Sequence, residues 1–147
     1  MKPTQLSDYT GCAADRAISG TTYFGDTPVE NMDVSVPKQN KSTRTDNFGN
    51  FQLSLDFTAI EDKLGIHLQN KELRVDTVYT FTKEQLAKSL DIKIKKYCVA
   101  CTQKDSTGAV VNQKTTCSAS ASYIEDYIKG FTQAGVAQGR TVECTRQ

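Results

Sequence analysis

Apolar residues recur at every second position in several segments of this chain, and a period of two predicts strands rather than helices. Ala17 to Phe24 is rich in β-formers and runs into Gly25-Asp26-Thr27-Pro28, a turn composition. Met32, Val34 and Val36 alternate with Asp33 and Ser35, and Pro37 ends that strand because proline donates no ladder hydrogen bond. Lys38 to Lys41 reads as a polar loop. Ser42 to Thr45 predicts a short polar strand, Asp46-Asn47-Phe48-Gly49-Asn50 a tight turn, and Phe51, Leu53 and Leu55 a returning strand, so that the two strands form a hairpin. From Asp56 to Asn70 the spacing changes. Phe57, Ile60, Leu64 and His67 fall near helical spacing and predict a short helix or long loop interrupting the sheet. Alternation returns at Leu73, Val75, Thr77 and Tyr79. After a helix-compatible connection from Lys83 to Ser89 it returns again at Leu90, Ile92 and Ile94, with Asp91, Lys93 and Lys95 outward.

The tail has a different pattern. Tyr97 to Gln103 is extended, Lys104 to Gly108 is a turn, and Ala109 to Thr116 returns as a strand. Ser122 and Glu125 have capping-box spacing. Tyr123, Ile124, Tyr127, Ile128 and Phe131 form one apolar helical stripe, and Gly130, Gly135 and Gly139 loosen and end that helix. Arg140 to Arg146 reads as a last strand. The organisation expected is therefore a lead-in over 1–15, a β-sandwich over 16–96 and a ββαβ appendage over 97–147.

Cysteine usage sharpens this picture. Of five cysteines, Cys98, Cys101, Cys117 and Cys144 lie in the tail and Cys12 stands apart. An even cluster predicts two local disulfides and one leftover thiol, and disulfides persist in oxidising compartments. If the tail hairpin turns around Ser106 and Thr107, Cys117 faces the Lys96 to Cys98 region. Cys98–Cys117 with Cys101–Cys144 then fits, with Cys101–Cys117 and Cys98–Cys144 as the alternative. The expected location is extracytoplasmic: periplasmic or cell-surface, including the outer membrane. Tyr9-Thr10-Gly11-Cys12 is similar to the end of a lipoprotein signal, which makes Cys12 a candidate lipid anchor. The stretch before it is polar and lacks the apolar core of such a signal, and the plainer reading is a tail cysteine.

Composition excludes some classes. The 147 residues carry 18 Lys and Arg against 17 Asp and Glu, mixed along the chain, so no basic stripe marks a nucleic-acid binder. No apolar run reaches the roughly 18 residues of a transmembrane helix.

The residues from Ile18 to Leu55 carry a recognisable order: Ile18-Ser19-Gly20, Pro28-Val29, an alternating Met32-Asp33-Val34-Ser35-Val36, then Thr45-Asp46-Asn47-Phe48-Gly49-Asn50-Phe51 and Leu53. This order resembles the carboxypeptidase-regulatory-like, transthyretin-like domains common on surface and outer-membrane proteins of the Bacteroidetes. The resemblance implies a mainly β, transthyretin-like or Ig-like antiparallel sandwich in which Asp46 caps a turn, Gly49 permits it and Phe51 plugs the core. It covers about 38 residues well, and the segment from Asp56 to Asn70 departs from the family's short connection. The tail pattern, Tyr-Cys-x-x-Cys with a middle and a final cysteine, is also similar to the C-terminal ends of small Bacteroidetes proteins.

Candidate chemistry is sparse. Cys98-Val99-Ala100-Cys101 has the spacing of a redox dithiol or of one zinc knuckle. Redox pairs open a helix, whereas these flanks are extended, and a structural zinc site needs a second close pair. His67 is the one histidine and has no nucleophile in a motif with it, so it reads as a half-buried packing or loop residue. Asp46, Asn47 and Asn50 lack the ligand alternation of a calcium loop. Tyr123, Tyr127 and Phe131 either face their own core or bind a partner. The expected function is a non-catalytic structural or protein-binding module. It would be an accessory subunit of a cell-surface or outer-membrane assembly, or a virion component of a phage of such bacteria, with a protein partner and no cofactor, metal or nucleic acid. The alternative is a thiol-disulfide or zinc module using the tail cysteines.

Overall fold

The computed structural model describes residues 15–147; Cys12 and the rest of the lead-in lie outside them. Among the described residues the chain divides into two units. The first contains residues up to Lys71 and Val75–Ile94, and the second contains Glu72–Arg74 and Lys95–Gln147.

The first unit is built from two sheets. In one, β1 (Asp15–Phe24) is central. It pairs antiparallel with β2 (Thr27–Pro28) and β5 (Asn50–Asp56), and parallel with β8 (Leu90–Ile94). The other has the order β4 (Lys41–Arg44), β3 (Asp33–Val36), β6 (Lys63–Asn70), β7 (Val75–Thr82), all antiparallel. Period-two alternation gives each sheet one apolar face. Ile18, Phe24, Phe51, Leu53, Leu55, Leu90, Ile92 and Ile94 are buried from the first sheet, and Val34, Val36, Leu64, Ile66, Leu68 and Val75 from the second. The result is a β-sandwich, each such side chain contributing about 1.5–3 kcal/mol.

Four expectations change. First, β4 and β5 are not a hairpin: β4 joins β3 and β5 joins β1, so the connection between them crosses from one sheet to the other. Second, the short helix or long loop expected over Asp56 to Asn70 shrinks to one short 3-10 turn, and most of the segment is strand. That turn, Phe57–Ala59, is capped by the Asp56 carboxylate accepting from the Thr58 N–H at 2.9 Å and hydroxyl at 2.6 Å, and after three more residues β6 begins. The helical spacing came from joining turn residues to strand residues; Leu64, Ile66 and Leu68 alone alternate cleanly. Third, β8 runs parallel to β1, so the sandwich is not wholly antiparallel. The chain reaches β8 from β7 in the other sheet through α1 (Lys83–Leu86), whose Thr82–Gln85 capping box closes both ways. Gly20 lets β8 in: a Cβ there would lie 2.7 Å from the Leu90 carbonyl and 2.8 Å from the Phe51 ring. Fourth, Leu73 lies in the β6–β7 turn, and β7 begins at Val75.

In the second unit β9 (Tyr97–Lys104) lies between β10 (Val110–Ser118) and β11 (Thr141–Arg146), both antiparallel to it. Helix α2 (Ala121–Ala137) runs unbroken through Gly130 and Gly135. Its cap is Ser120, not Ser122: the Ser120 hydroxyl accepts from the Tyr123 N–H at 3.2 Å, and Ser122 sits in the first turn. Val99, Cys101 and Ile124 form the buried core, with Tyr97, Tyr123, Tyr127, Ile128, Phe131 and Cys144 half-buried around them. A core this small is marginal without crosslinks.

Candidate functional site

The tail cysteines are all on strands, and strand geometry decides what they can do. Cys98 and Cys101 are three apart on β9, and in a strand an odd separation places side chains on opposite faces. The ladder puts Cys117 directly opposite Cys98 and Cys144 directly opposite Cys101. Both pairs are bonded, each with Cα atoms 4.1 Å apart. The hairpin register shifts by one residue between Val110 and Asn112, and that bulge aligns Cys117 with Cys98 itself. Cys101–Cys144 lies in the helix-facing core, where Cys101 is fully buried. Cys98–Cys117 lies half-buried on the other face.

The aromatic stripe of α2 packs on the same core. Tyr127 and Phe131 stack with ring centres 5.9 Å apart, and the Arg74 guanidinium lies 3.3 Å above the Tyr123 ring. The Leu73 carbonyl accepts from the Ala119 N–H at 2.9 Å, fixing Glu72–Arg74 beside the helix start. Gln103 also points inward from β9 and is buried. Its Nε2 donates to the Phe131 carbonyl at 3.0 Å and its Oε1 accepts from Arg140 at 2.9 Å. The period-two count from Val99 and Cys101 marks Gln103 as inward, though nothing in the sequence names its partners. The Tyr127 hydroxyl is buried without a hydrogen-bond partner among the described residues.

In the first unit, Asp46 and Gly49 build the connection between the sheets. The Asp46 carboxylate accepts from the N–H groups of Phe48 at 2.9 Å and Asn50 at 3.0 Å, and Gly49 takes φ 78°. Phe51 is buried between the sheets, while Phe48 at the turn tip is exposed. Two residues without a role assigned from sequence, Thr45 of the quoted motif and Gln39 of the polar loop, complete the corner. Buried Thr45 donates its hydroxyl to the Val29 carbonyl at 2.6 Å and accepts from the Met32 N–H at 2.9 Å. Gln39 bonds the backbone of Asp56 twice, at 2.9 and 2.8 Å.

An open cleft of about 420 Å³ lies at one end of the sandwich, lined by Lys38, Gln39, Ile60, Glu61, Asp62 and Lys63 among others. It mixes both charge signs and contains no cysteine or histidine. His67 lies on β6, where its Nε2 meets the Asp76 carboxylate at 2.5 Å. Among the described residues no three His, Cys, Asp or Glu side chains gather as a metal site, and no helix is long and apolar enough to cross a membrane.

The fold and these contacts define a class: a small β-dominated protein of mixed sheets with a disulfide-bonded C-terminal region. No protein-family model, curated protein or solved structure matches the chain.

Proposed function

We propose that this chain is a non-catalytic structural and protein-binding module with a carboxypeptidase-regulatory-like sandwich. It acts outside the cytoplasm as an accessory subunit of a cell-surface or outer-membrane assembly, or as a virion component of a phage of such bacteria. The observation that carries this reading is the fate of the tail cysteines. All four are joined in cross-strand disulfides, one on each face of β9, so they serve as scaffold. Such bonds persist in oxidising compartments, which supports the extracytoplasmic location. The Thr45–Phe51 corner supports the kinship through Phe51, which fills the core as the resemblance implies, and through Thr45, which ties the corner back to Val29 and Met32.

Intact mass of natively prepared protein, with and without alkylation, tests the scaffold role. Four protected tail thiols and no bound metal are expected; a bound zinc, or two thiols that cycle under mild thiol buffer, would replace this reading with the zinc or thiol-disulfide alternative. Affinity capture from native envelopes or particles tests the assembly role, which fails if only the chain itself is recovered.

A further inference from the structure

Edge strands invite pairing with another chain, and proteins protect them with short length, charge, bulges or covering groups. Most edges of this chain are protected. β4 has four residues and carries Lys41 and Arg44. β8 has five and carries Asp91 and Lys93. β5 is blocked at both ends: Asp46 bonds the N–H and carbonyl of Asn50, and the Gln39 side chain bonds the N–H and carbonyl of Asp56. In the second unit, β10 is bulged and carries Lys114, and β11 carries Glu143 and Arg146.

β7 has none of these protections. It is the outer strand of its sheet and has eight residues, Val-Asp-Thr-Val-Tyr-Thr-Phe-Thr, with no proline or glycine and one charge, Asp76, already engaged by His67. Asp76, Thr77, Val78 and Thr80 are exposed, Val78 at 59%. Tyr79 and Phe81 are only half-buried at the open margin of the core.

The strand is complementary to itself. When two copies run antiparallel with a two-fold axis at Val78, Val78 meets Val78 on the outer face and Asp76 meets Thr80, so the carboxylates stay apart. On the inner face Val75 meets Phe81 and Thr77 meets Tyr79. Apolar residues oppose apolar ones except for the Thr–Tyr pair, itself a favourable cross-strand contact. Symmetric closure of this kind leaves no new edge at the join. We propose that β7 pairs with β7 of a second copy, extending β4-β3-β6-β7 into one continuous eight-stranded sheet. This goes beyond the assembly role and does not depend on it.

Sedimentation of the purified full chain over micromolar to millimolar concentration tests the proposal, together with amide exchange across Val75–Thr82. The expected result is a reversible dimer, with β7 amides slowing as dimer forms. Val78→Lys, at an exposed position that leaves the core intact, should return the protein to monomer with an unchanged circular dichroism spectrum. Val78→Cys should form a disulfide-linked dimer on mild oxidation, because opposed residues at the axis lie within bridging distance. A chain that stays monomeric throughout, a dimer unaffected by Val78→Lys, or β7 amides protected only on adding a different protein would each overturn the inference. The capture of an envelope or particle partner is a separate readout, so either idea can fail alone.

Discussion

The two disulfides should differ in what they contribute, and the difference can be worked from their placement. Cys98–Cys117 closes a separation of 19 residues and Cys101–Cys144 one of 43. In the chain-entropy model these correspond to about 3 and about 4 kcal/mol of restriction on the unfolded chain. Burial widens the gap. Cys101 is fully buried against Val99 and Ile124, so replacing its pair with alanine also leaves space in a core with little else in it, worth about 1 kcal/mol more. Cys98–Cys117 lies on the face away from the helix and adds no such cost. The double variant C101A/C144A should therefore lose about 5 kcal/mol, from loop closure and lost packing together, and C98A/C117A about 3, from loop closure alone. Urea unfolding followed at 222 nm measures this, because the 17-residue α2 dominates the helical signal and belongs to the stapled unit. The urea slope of the variants must match the parent for the comparison to hold. If C98A/C117A costs as much as C101A/C144A or more, neither loop length nor burial sets the ranking and the reasoning fails.

Thr45→Val should destabilise the sandwich by about 2 kcal/mol, because it strands the Met32 N–H in the core, while Thr45→Ser should restore most of the loss; thermal unfolding of the three proteins decides it. Tyr127→Phe removes a buried hydroxyl that has no partner, so the second unit should be unchanged or gain up to about 1 kcal/mol; a loss seen in the same urea assay would reveal a bond to that oxygen. The Asp105 carboxyl, held by the Thr107 hydroxyl and by the N–H groups of Thr107 and Ala109, has its pKa lowered below the ordinary 3.8. A lowered folded pKa contributes stability that is present above the unfolded value and lost as pH falls through the folded one. Acid should therefore weaken the β9–β10 turn only below about pH 4, and Asp105→Asn should flatten that dependence in pH-jump unfolding.

The legible part of the fold is the part that alternation encodes. Period two assigns each residue to a face, so the buried rows of β1, β3, β5 and β8 could be counted from sequence. It says nothing about which strand lies alongside. The neighbours of β5 and the parallel direction of β8 depend on contacts far apart in the chain, such as Gly20 with Leu90. β6 was hidden because Phe57 and Ile60, which belong to the turn, mimic helical spacing with Leu64. In the tail, the cysteines supplied a second constraint that alternation lacked. Two crosslinks must satisfy one register, and a turn near Ser106 and Thr107 left little freedom. The one-residue bulge at Val111 was invisible because neither Val110 nor Val111 has a core position to enforce it.

The turn at Asp46 shows why a local motif underdetermines a fold. Asp105 repeats its backbone bonds one for one. In both, the Asp carboxylate accepts from the N–H groups two and four residues on. The Asp N–H donates to the carbonyl four residues on, and a glycine with positive φ, 78° at Gly49 and 87° at Gly108, donates back to the Asp carbonyl. Yet one turn joins strands paired in a hairpin, and the other carries the chain between sheets. The difference lies in the flanks. Thr45 is bonded to Val29 and Met32, which keeps β4 with β3, and the residues from Asn50 onward engage β1 from Thr21 to Asp15. Within the Thr-Asp-x-x-Gly-x-Phe resemblance, then, the Asp and Gly report only turn chemistry, which the second unit uses independently. Thr45 and Phe51 carry the information about the sandwich, because Thr45 ties the corner back to Val29 and Met32 while Phe51 fills the core against Gly20 of β1.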